Sequence, residues 1–70
     1  MNIMDFRITY AAARVNKGLK QKDAAKLIGI SEKTLIGYEK GQVIPQWDRH
    51  NKMAEIYEIP KEMLCSPRKH

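Results

Sequence analysis

Few residues in this chain of 70 residues could support nucleophilic or metal chemistry. Cys65 is the only cysteine, and His50 and His70 are the only histidines. A cysteine nucleophile needs a base that a third group orients, and the sequence offers neither that group nor a glycine-rich phosphate loop. One cysteine also excludes an internal disulfide and a cysteine-built zinc site. We therefore expect no enzyme activity, no metal, no cofactor and no small-molecule substrate.

Basic side chains are the more informative group. Lysine and arginine number 13 against 8 acidic residues, which gives a formal net charge of +5 and a pI near 9.6. Such a balance suits a polyanionic partner, because each neutralised phosphate releases condensed counterions. Charge alone does not separate this interpretation from ordinary solvated lysines, so the order of the residues has to decide.

Length and composition predict a single domain over residues 1–70, with a core at about 6–65 and a short basic C-terminal tail. An apolar share of 43% is sufficient for a hydrophobic core. The segment from Met1 to Phe6 lacks the basic and apolar regions of a signal peptide. No apolar run approaches the length that spans a bilayer. We expect a cytoplasmic protein with no membrane partner.

The elements that position these side chains are predicted to be helices, because no alternation of apolar and polar residues lasts for a strand length. Glycines and prolines divide the chain into short helical pieces. The expected fold is all-α, a bundle of about five short helices. Their approximate ranges are Phe6 to Lys17, Gln21 to Ile28, just after Ser31 to Lys40, Trp47 to Tyr57, and Pro60 to Leu64.

Two residues near the fourth predicted helix are interpreted as structural. His50 is expected to be partly buried, since no second metal ligand stands at helical spacing from it. Trp47 is expected to pack beside Pro45 rather than to stack on a base.

The most informative segment is the corner Gly29-Ile30-Ser31 between the second and third predicted helices. A glycine at the end of a helix allows the backbone to reverse, and a serine before the next helix can cap its first amides. Ile30 is expected to fill the space between the two helices. Such a corner pushes the first turn of the following helix outward, where it can enter a major groove.

At these residues the chain resembles the Xre/Cro-type, lambda-repressor-like helix-turn-helix family. It is most similar to the short regulators of phages and mobile elements of Gram-positive bacteria, in Ala-Ala-Arg-Val-Asn, Tyr-Glu-Lys-Gly and Ile-Tyr-Glu-Ile-Pro. The resemblance covers roughly residues 8 to 64. It rests on Arg14, Gly18, Leu19, Gln21, Ala25, Gly29-Ile30-Ser31, Leu35, Glu39, Gly41, Pro45, Met53, Ile59 and Leu64.

The resemblance implies that double-stranded DNA is the partner and that the third helix reads it. Gln21 would bridge a phosphate and the reading helix, and Ser31 with its neighbouring amides would take a phosphate at a helix N-terminus. Arg14 and Glu39 match a pair that ties the first helix to the third, so they are interpreted as a structural ion pair. Glu32, Lys33, Ile36 and Gly37 would face the groove, whereas Lys20, Lys40 and the loop 41–45 would follow the DNA backbone.

Three of the groove-facing positions leave alternatives open. Glu32 could accept from a cytosine amino group, pair with a lysine, or serve only the helix dipole. Ile36 could meet a thymine methyl group or be a tolerated surface residue. Gly37 brings no side chain where the family often has a long polar one, so base reading there is expected to be poor or to rest on the proximity of the backbone.

The function that follows is a sequence-specific DNA-binding transcriptional regulator, similar to a phage or prophage repressor. A homodimer is expected, because one short helix makes few base contacts, and the C-terminal segment Met63-Leu64-Cys65 is the expected self-contact. The alternative function is an antitoxin or accessory protein of the same fold that works mainly through a protein partner. A pure interaction module that does not bind DNA is a third possibility.

Overall fold

Four helices account for most of residues 7–67, the part of the chain that this computed structural model describes. The mostly helical fold is as expected, but the described residues form four helices rather than five. Two short strands complete the fold. The elements are β1 (Ile8–Thr9), α1 (Tyr10–Asn16), α2 (Gln21–Ile28), α3 (Glu32–Lys40), α4 (Trp47–Tyr57) and β2 (Leu64–Cys65).

The predicted fifth helix is wrong, because the segment after Pro60 makes one turn and then extends. The Met63 amide donates to the Pro60 carbonyl at 2.9 Å, and Leu64 then pairs in parallel with Ile8. A single helical turn fixes several dihedral angles for one hydrogen bond, so a short helix here is less stable than pairing with β1. Pairing with β1 instead buries Leu64 to 4% exposure. A predicted self-contact through an uncovered Leu64 is therefore wrong as well.

The first helix begins later than the sequence suggests. The Thr9 hydroxyl accepts the Ala12 amide at 3.2 Å and so caps α1, while Ile8 and Thr9 belong to the strand pair. Ile8 donates its amide to the Met63 carbonyl at 2.7 Å. The predicted starting residue, Phe6, lies outside the described residues. Pairing with β2 thus places Ile8 and Thr9 in a strand, although local propensity assigns them to the helix.

The core lies where α2 packs against α3 and α4. Small side chains on α2 allow a close approach of the helices, since Ala24 is fully buried and Ala25 is 3% exposed. Ile28 of α2 and Leu35 and Tyr38 of α3 are buried as well, and Ile56 of α4 is partly buried against the same core. The largest fully buried side chains are Tyr57, Leu35 and Met53.

His50 is partly buried, as expected, and its ring joins three parts of the fold. Its Nε2 lies 2.9 Å from the Lys61 carbonyl oxygen, and its Nδ1 lies 2.8 Å from the Tyr10 hydroxyl. Because a carbonyl only accepts, Nε2 carries the proton of the first contact, and Nδ1 shares a second hydrogen bond with the tyrosine hydroxyl. The ring therefore links α4 to α1 and to the turn before β2.

Trp47 is more exposed than the packing residue that the sequence suggests. Pro45 is buried, but the Trp47 side chain is 68% exposed. The Lys61 ammonium lies 5.1 Å from the centroid of the indole ring. A cation over an aromatic face is favourable, so the indole is held at the surface by a charge rather than by the core.

Gly37 lies inside α3, where glycine is a poor helix former. An added Cβ would meet Val43 Cγ2 at 3.5 Å, an ordinary van der Waals contact. Gly37→Ala should therefore raise the free energy of unfolding by about 0.5 to 1 kcal/mol, measured by urea titration. Gly29→Ala is the matched control and should lower it, because Gly29 has a φ of +90°. An unchanged or lower stability of Gly37→Ala would contradict this prediction.

Candidate nucleic-acid interface

The corner between α2 and α3 is built by the backbone of Gly29. Its φ of 90° and ψ of 33° place it in the left-handed region, which glycine enters without a steric penalty. The amides of Gly29 and Ile30 both donate to the Ala25 carbonyl, at 2.9 and 3.0 Å. Ile30 is partly buried against the core, as expected. The chain therefore turns sharply, and α3 starts at a fixed angle to α2.

Ser31 caps the N-terminus of α3, as the sequence predicts. Its hydroxyl oxygen accepts the Thr34 amide at 3.0 Å, and its proton is donated to the Thr34 hydroxyl at 2.8 Å. Ser31 is exposed, so this cap sits at the surface. The partial positive charge of a helix N-terminus is thus presented to solvent beside the side chain of Lys33.

One face of α3 carries most of the predicted groove-facing residues. Each helical residue is rotated by about 100° from the previous one, so positions 32, 33, 36, 37 and 40 share an arc of about 140°. Glu32, Lys33 and Lys40 are exposed, and Ile36 is half-buried. The opposite arc holds Leu35, which is fully buried, and Tyr38, which is 6% exposed. A partner can therefore reach this face at Glu32, Lys33 and Lys40.

The expectation of an exposed Gly37 is wrong. Gly37 is buried, because the loop after α3 folds back and brings the Val43 side chain over it. The Gly37 carbonyl accepts the amides of Gln42 at 2.9 Å and Val43 at 3.3 Å, which holds the loop in this position. Gly41, with a φ of 76°, makes the turn possible.

Arg14 and Glu39 meet in a largely buried ion pair between α1 and α3. Arg14 Nε lies 2.6 Å from Glu39 Oε2, and the two side chains are 12% and 5% exposed. A second arginine nitrogen donates to Glu39 Oε1 at 3.2 Å, and a third reaches the Leu19 carbonyl at 2.8 Å. The arginine is thus bound both to α3 and to the link between α1 and α2.

Gln21 joins the same cluster from the first turn of α2. Its amide nitrogen donates to Glu39 Oε1 at 3.0 Å. Gln21 is only partly buried, and Lys20 beside it is exposed. Glu39 therefore receives hydrogen bonds from both α1 and α2. Lys20 and Gln21 both lie at the start of α2, the end that is joined to Glu39.

Tyr57 of α4 is the fourth residue whose environment this cluster sets. Its hydroxyl is buried and finds no hydrogen-bond partner among residues 7–67. Burial, with a smaller contribution from the negative charge of Glu39, raises the pKa of Tyr57 to about 12. The positive charge of Arg14 partly opposes that rise.

Sequence reasoning missed the apolar character of the loop between α3 and α4. Val43 is 51% exposed and Ile44 is 68% exposed. The available signal was two adjacent β-branched residues in a loop that was assigned only to the DNA backbone. With Tyr38, Gln46, Asp48 and Arg49, they line a surface pocket of about 410 Å³.

Within residues 7–67, no group of three His, Cys, Asp or Glu side chains is arranged to hold a metal ion. No helix in that range is both long and apolar enough to cross a membrane.

Two helices joined by a tight glycine corner, with the second one exposed along one face, define a helix-turn-helix domain. Residues 11–64 match the protein family described as Helix-turn-helix, and the chain belongs to that family. The chain is also 36% identical over 53 residues to the "Cryptic phage CTXphi transcriptional repressor RstR" of Vibrio cholerae. The match covers 76% of this chain and 48% of the relative, so it spans about half of that protein's length. No solved structure is significantly similar.

The ion pair supplies a stability prediction. Arg14→Met should lower the free energy of unfolding by about 3 kcal/mol in urea titration, because the Glu39 carboxylate stays buried without its cation. Adding Glu39→Gln to that variant should recover part of the loss. Lys17→Met is the control: it breaks the exposed Lys17–Glu58 pair, whose atoms lie 2.7 Å apart, and should cost much less. If the loss in the double variant equals the sum of the losses in Arg14→Met and Glu39→Gln measured singly, coupling between Arg14 and Glu39 is excluded.

Tyr57→Phe should leave the unfolding free energy unchanged or raise it at neutral pH, because the hydroxyl it removes is buried without a partner. The raised pKa adds a pH dependence. The unfolded tyrosine ionises from its ordinary value of 10.0 and the folded one only at about 12, so stability is present below pH 10 and lost between these values. Unfolding followed from pH 9 to 12 should show a smaller alkaline loss in Tyr57→Phe than in the unmodified chain.

The matched control is Tyr10→Phe, which removes a hydroxyl that is hydrogen-bonded to His50. It should lower the unfolding free energy by about 1 kcal/mol. Equal effects of the two substitutions at neutral pH would contradict the assignment of a satisfied and an unsatisfied hydroxyl.

Proposed function

We propose that this chain is a sequence-specific double-stranded DNA-binding regulator of transcription, of the phage-repressor kind, that acts in the cytoplasm. The observation that supports it best is the exposed face of α3, on which Lys33 stands beside the N-terminus capped by Ser31 and Lys40 stands at the opposite end. Membership of the Helix-turn-helix family and the similarity to a phage transcriptional repressor support it further. The protein would work by occupying a duplex, not by catalysis.

In the proposed complex, α3 lies in the major groove and its flanks contact phosphates. Ser31 and the amides of the first turn of α3 take one phosphate, which the helix dipole favours. Gln21 takes another while its amide nitrogen stays bonded to Glu39. Lys20 and Lys40, which are both exposed, follow the backbone of the duplex.

Base reading is assigned to the exposed side chains of the same face. Lys33 can donate to the acceptors of guanine in the major groove, and Glu32 can accept from the amino group of cytosine. Ile36 is half-buried and offers only apolar contact. Gly37 is buried and is therefore a position where the loop, and not the helix, meets the duplex.

A homodimer on two half-sites is part of the proposal. A short helix makes few base contacts, each worth about 1 to 3 kcal/mol, so useful affinity calls for two of them. Half-sites would be spaced by about 34 Å, one turn of the duplex. The C-terminal segment remains the proposed contact, through the half-buried Met63 and Cys65 rather than through Leu64. Sedimentation with and without duplex tests the stoichiometry.

The binding test begins with selection of a sequence from a random duplex library, followed by titration at two salt concentrations. A preferred sequence should be bound more tightly than a scrambled duplex, and affinity for both should fall as salt rises. Equal affinity for both duplexes would exclude a sequence-specific regulator. An absence of binding at low salt would exclude DNA as the partner.

Two lysines of α3 separate base reading from phosphate binding. Lys33→Ala should change the sequence preference and cost about 1 to 3 kcal/mol on the selected duplex, because a base contact is lost. Lys40→Ala should weaken binding to all duplexes alike and reduce the salt slope by about 1. Anisotropy titrations on the selected and scrambled duplexes measure both effects. Identical behaviour of the two variants would overturn this assignment of roles.

An antitoxin or accessory role through a protein partner is the second candidate function. It is favoured by Ile44 and Trp47, each 68% exposed and close in sequence. A partner that buries these side chains would bind through apolar area, so its affinity would survive salt that releases DNA.

A further inference from the structure

Val43 lies on the surface of α3 although it belongs to the following loop. Its Cγ2 is the atom that an added Gly37 Cβ would meet first, at 3.5 Å. Its amide is bonded to the Gly37 carbonyl, so the contact is fixed by the backbone as well as by the side chain. A residue no larger than alanine permits the approach, since a longer side chain would occupy the space of the valine.

The position of Val43 is at the margin of the exposed arc of α3. Gly37 stands at one end of that arc, about 40° beyond Lys33. A side chain that covers Gly37 therefore extends the same surface, and Val43 is still 51% exposed to a partner. The arc thus presents two lysines and, in place of the absent side chain of residue 37, an isopropyl group.

We propose that Val43 is a specificity-determining residue that recognises the C5-methyl group of a thymine in the major groove. The inference rests on the proposed function, because it requires α3 to lie in that groove. In the groove, Val43 supplies the side chain that α3 lacks at position 37.

The chemistry of valine selects the methyl group among the features of a base edge. Valine has no donor or acceptor, so placing it on a polar base edge would leave that edge without a hydrogen bond. The thymine methyl is the apolar feature of the major groove, and contact with it removes apolar area from water on both sides. Lys33 and Lys40, on the same arc, would bind base acceptors and backbone phosphates around this contact.

The test replaces thymine with deoxyuridine, one position at a time, in the duplex that the unmodified chain selects. This exchange removes only the methyl group. At one position the unmodified chain should lose affinity by about fourfold, the value of one buried methyl-sized group. Val43→Ala should bind the thymine duplex more weakly and should not distinguish thymine from deoxyuridine at that position.

Val43→Thr is the second variant, because it keeps the volume of valine and exchanges one methyl for a hydroxyl. It should lose part of the discrimination, because one methyl group remains for the contact, while its circular dichroism and melting temperature establish that α3 is intact. Val15→Ala, at an exposed apolar residue of α1, should keep the full discrimination.

Three results would overturn the inference alone: no methyl-sensitive position for the unmodified chain, undiminished discrimination in both Val43 variants, or loss of discrimination in Ile36→Ala with Val43→Ala unaffected. The last result would assign the methyl contact to α3 itself. If the unmodified chain selects no duplex, the proposed function fails, and this inference fails with it.

Discussion

The buried carboxylate of Glu39 is the interaction on which the arrangement of the helices depends. It stands near the end of α3 and receives hydrogen bonds from Arg14 of α1 and Gln21 of α2. Taking a carboxylate out of water is costly, and the cost is offset only when a cation and further donors converge on it. Any shift of α1 or α2 relative to α3 would leave this charge incompletely bonded, so the cluster fixes the orientation of α3.

The same cluster sets the electrostatics of the exposed face. Because Arg14 neutralises Glu39 inside the fold, the negative charge of α3 that faces solvent is limited to Glu32 among the residues of its exposed arc. Lys40, in the last turn of the helix, therefore acts on a partner without a compensating exposed carboxylate nearby on α3. The structural pair and the surface charge are two results of one arrangement, since both follow from which side of α3 each acidic residue occupies.

The parts of the fold that could be predicted are those that local chemistry decides. Gly29 and Ser31 each encode a backbone conformation or a cap, so the corner and the start of α3 follow from residue type. The strand pair could not be predicted, because two residues at each end have no periodicity and pair only through tertiary contact. The burial of Gly37 could not be predicted for a related reason. It depends on a loop that folds back on α3, and the sequence of the helix itself does not indicate that contact.

The parallel pair of β1 and β2 has a consequence for the way the domain forms and opens. Nearly the whole chain lies between Ile8 and Leu64, so their contact closes the largest loop available to the fold, whereas the contacts of α2 with α3 close a small one. Loop closure must be complete before such a contact brings any stabilisation. The helical corner is therefore suited to early formation, and the strand pair to late formation and early release. Opening of the two ends would leave the corner and the exposed face of α3 in place, since neither strand contributes to the hydrogen bonds that Glu39 receives.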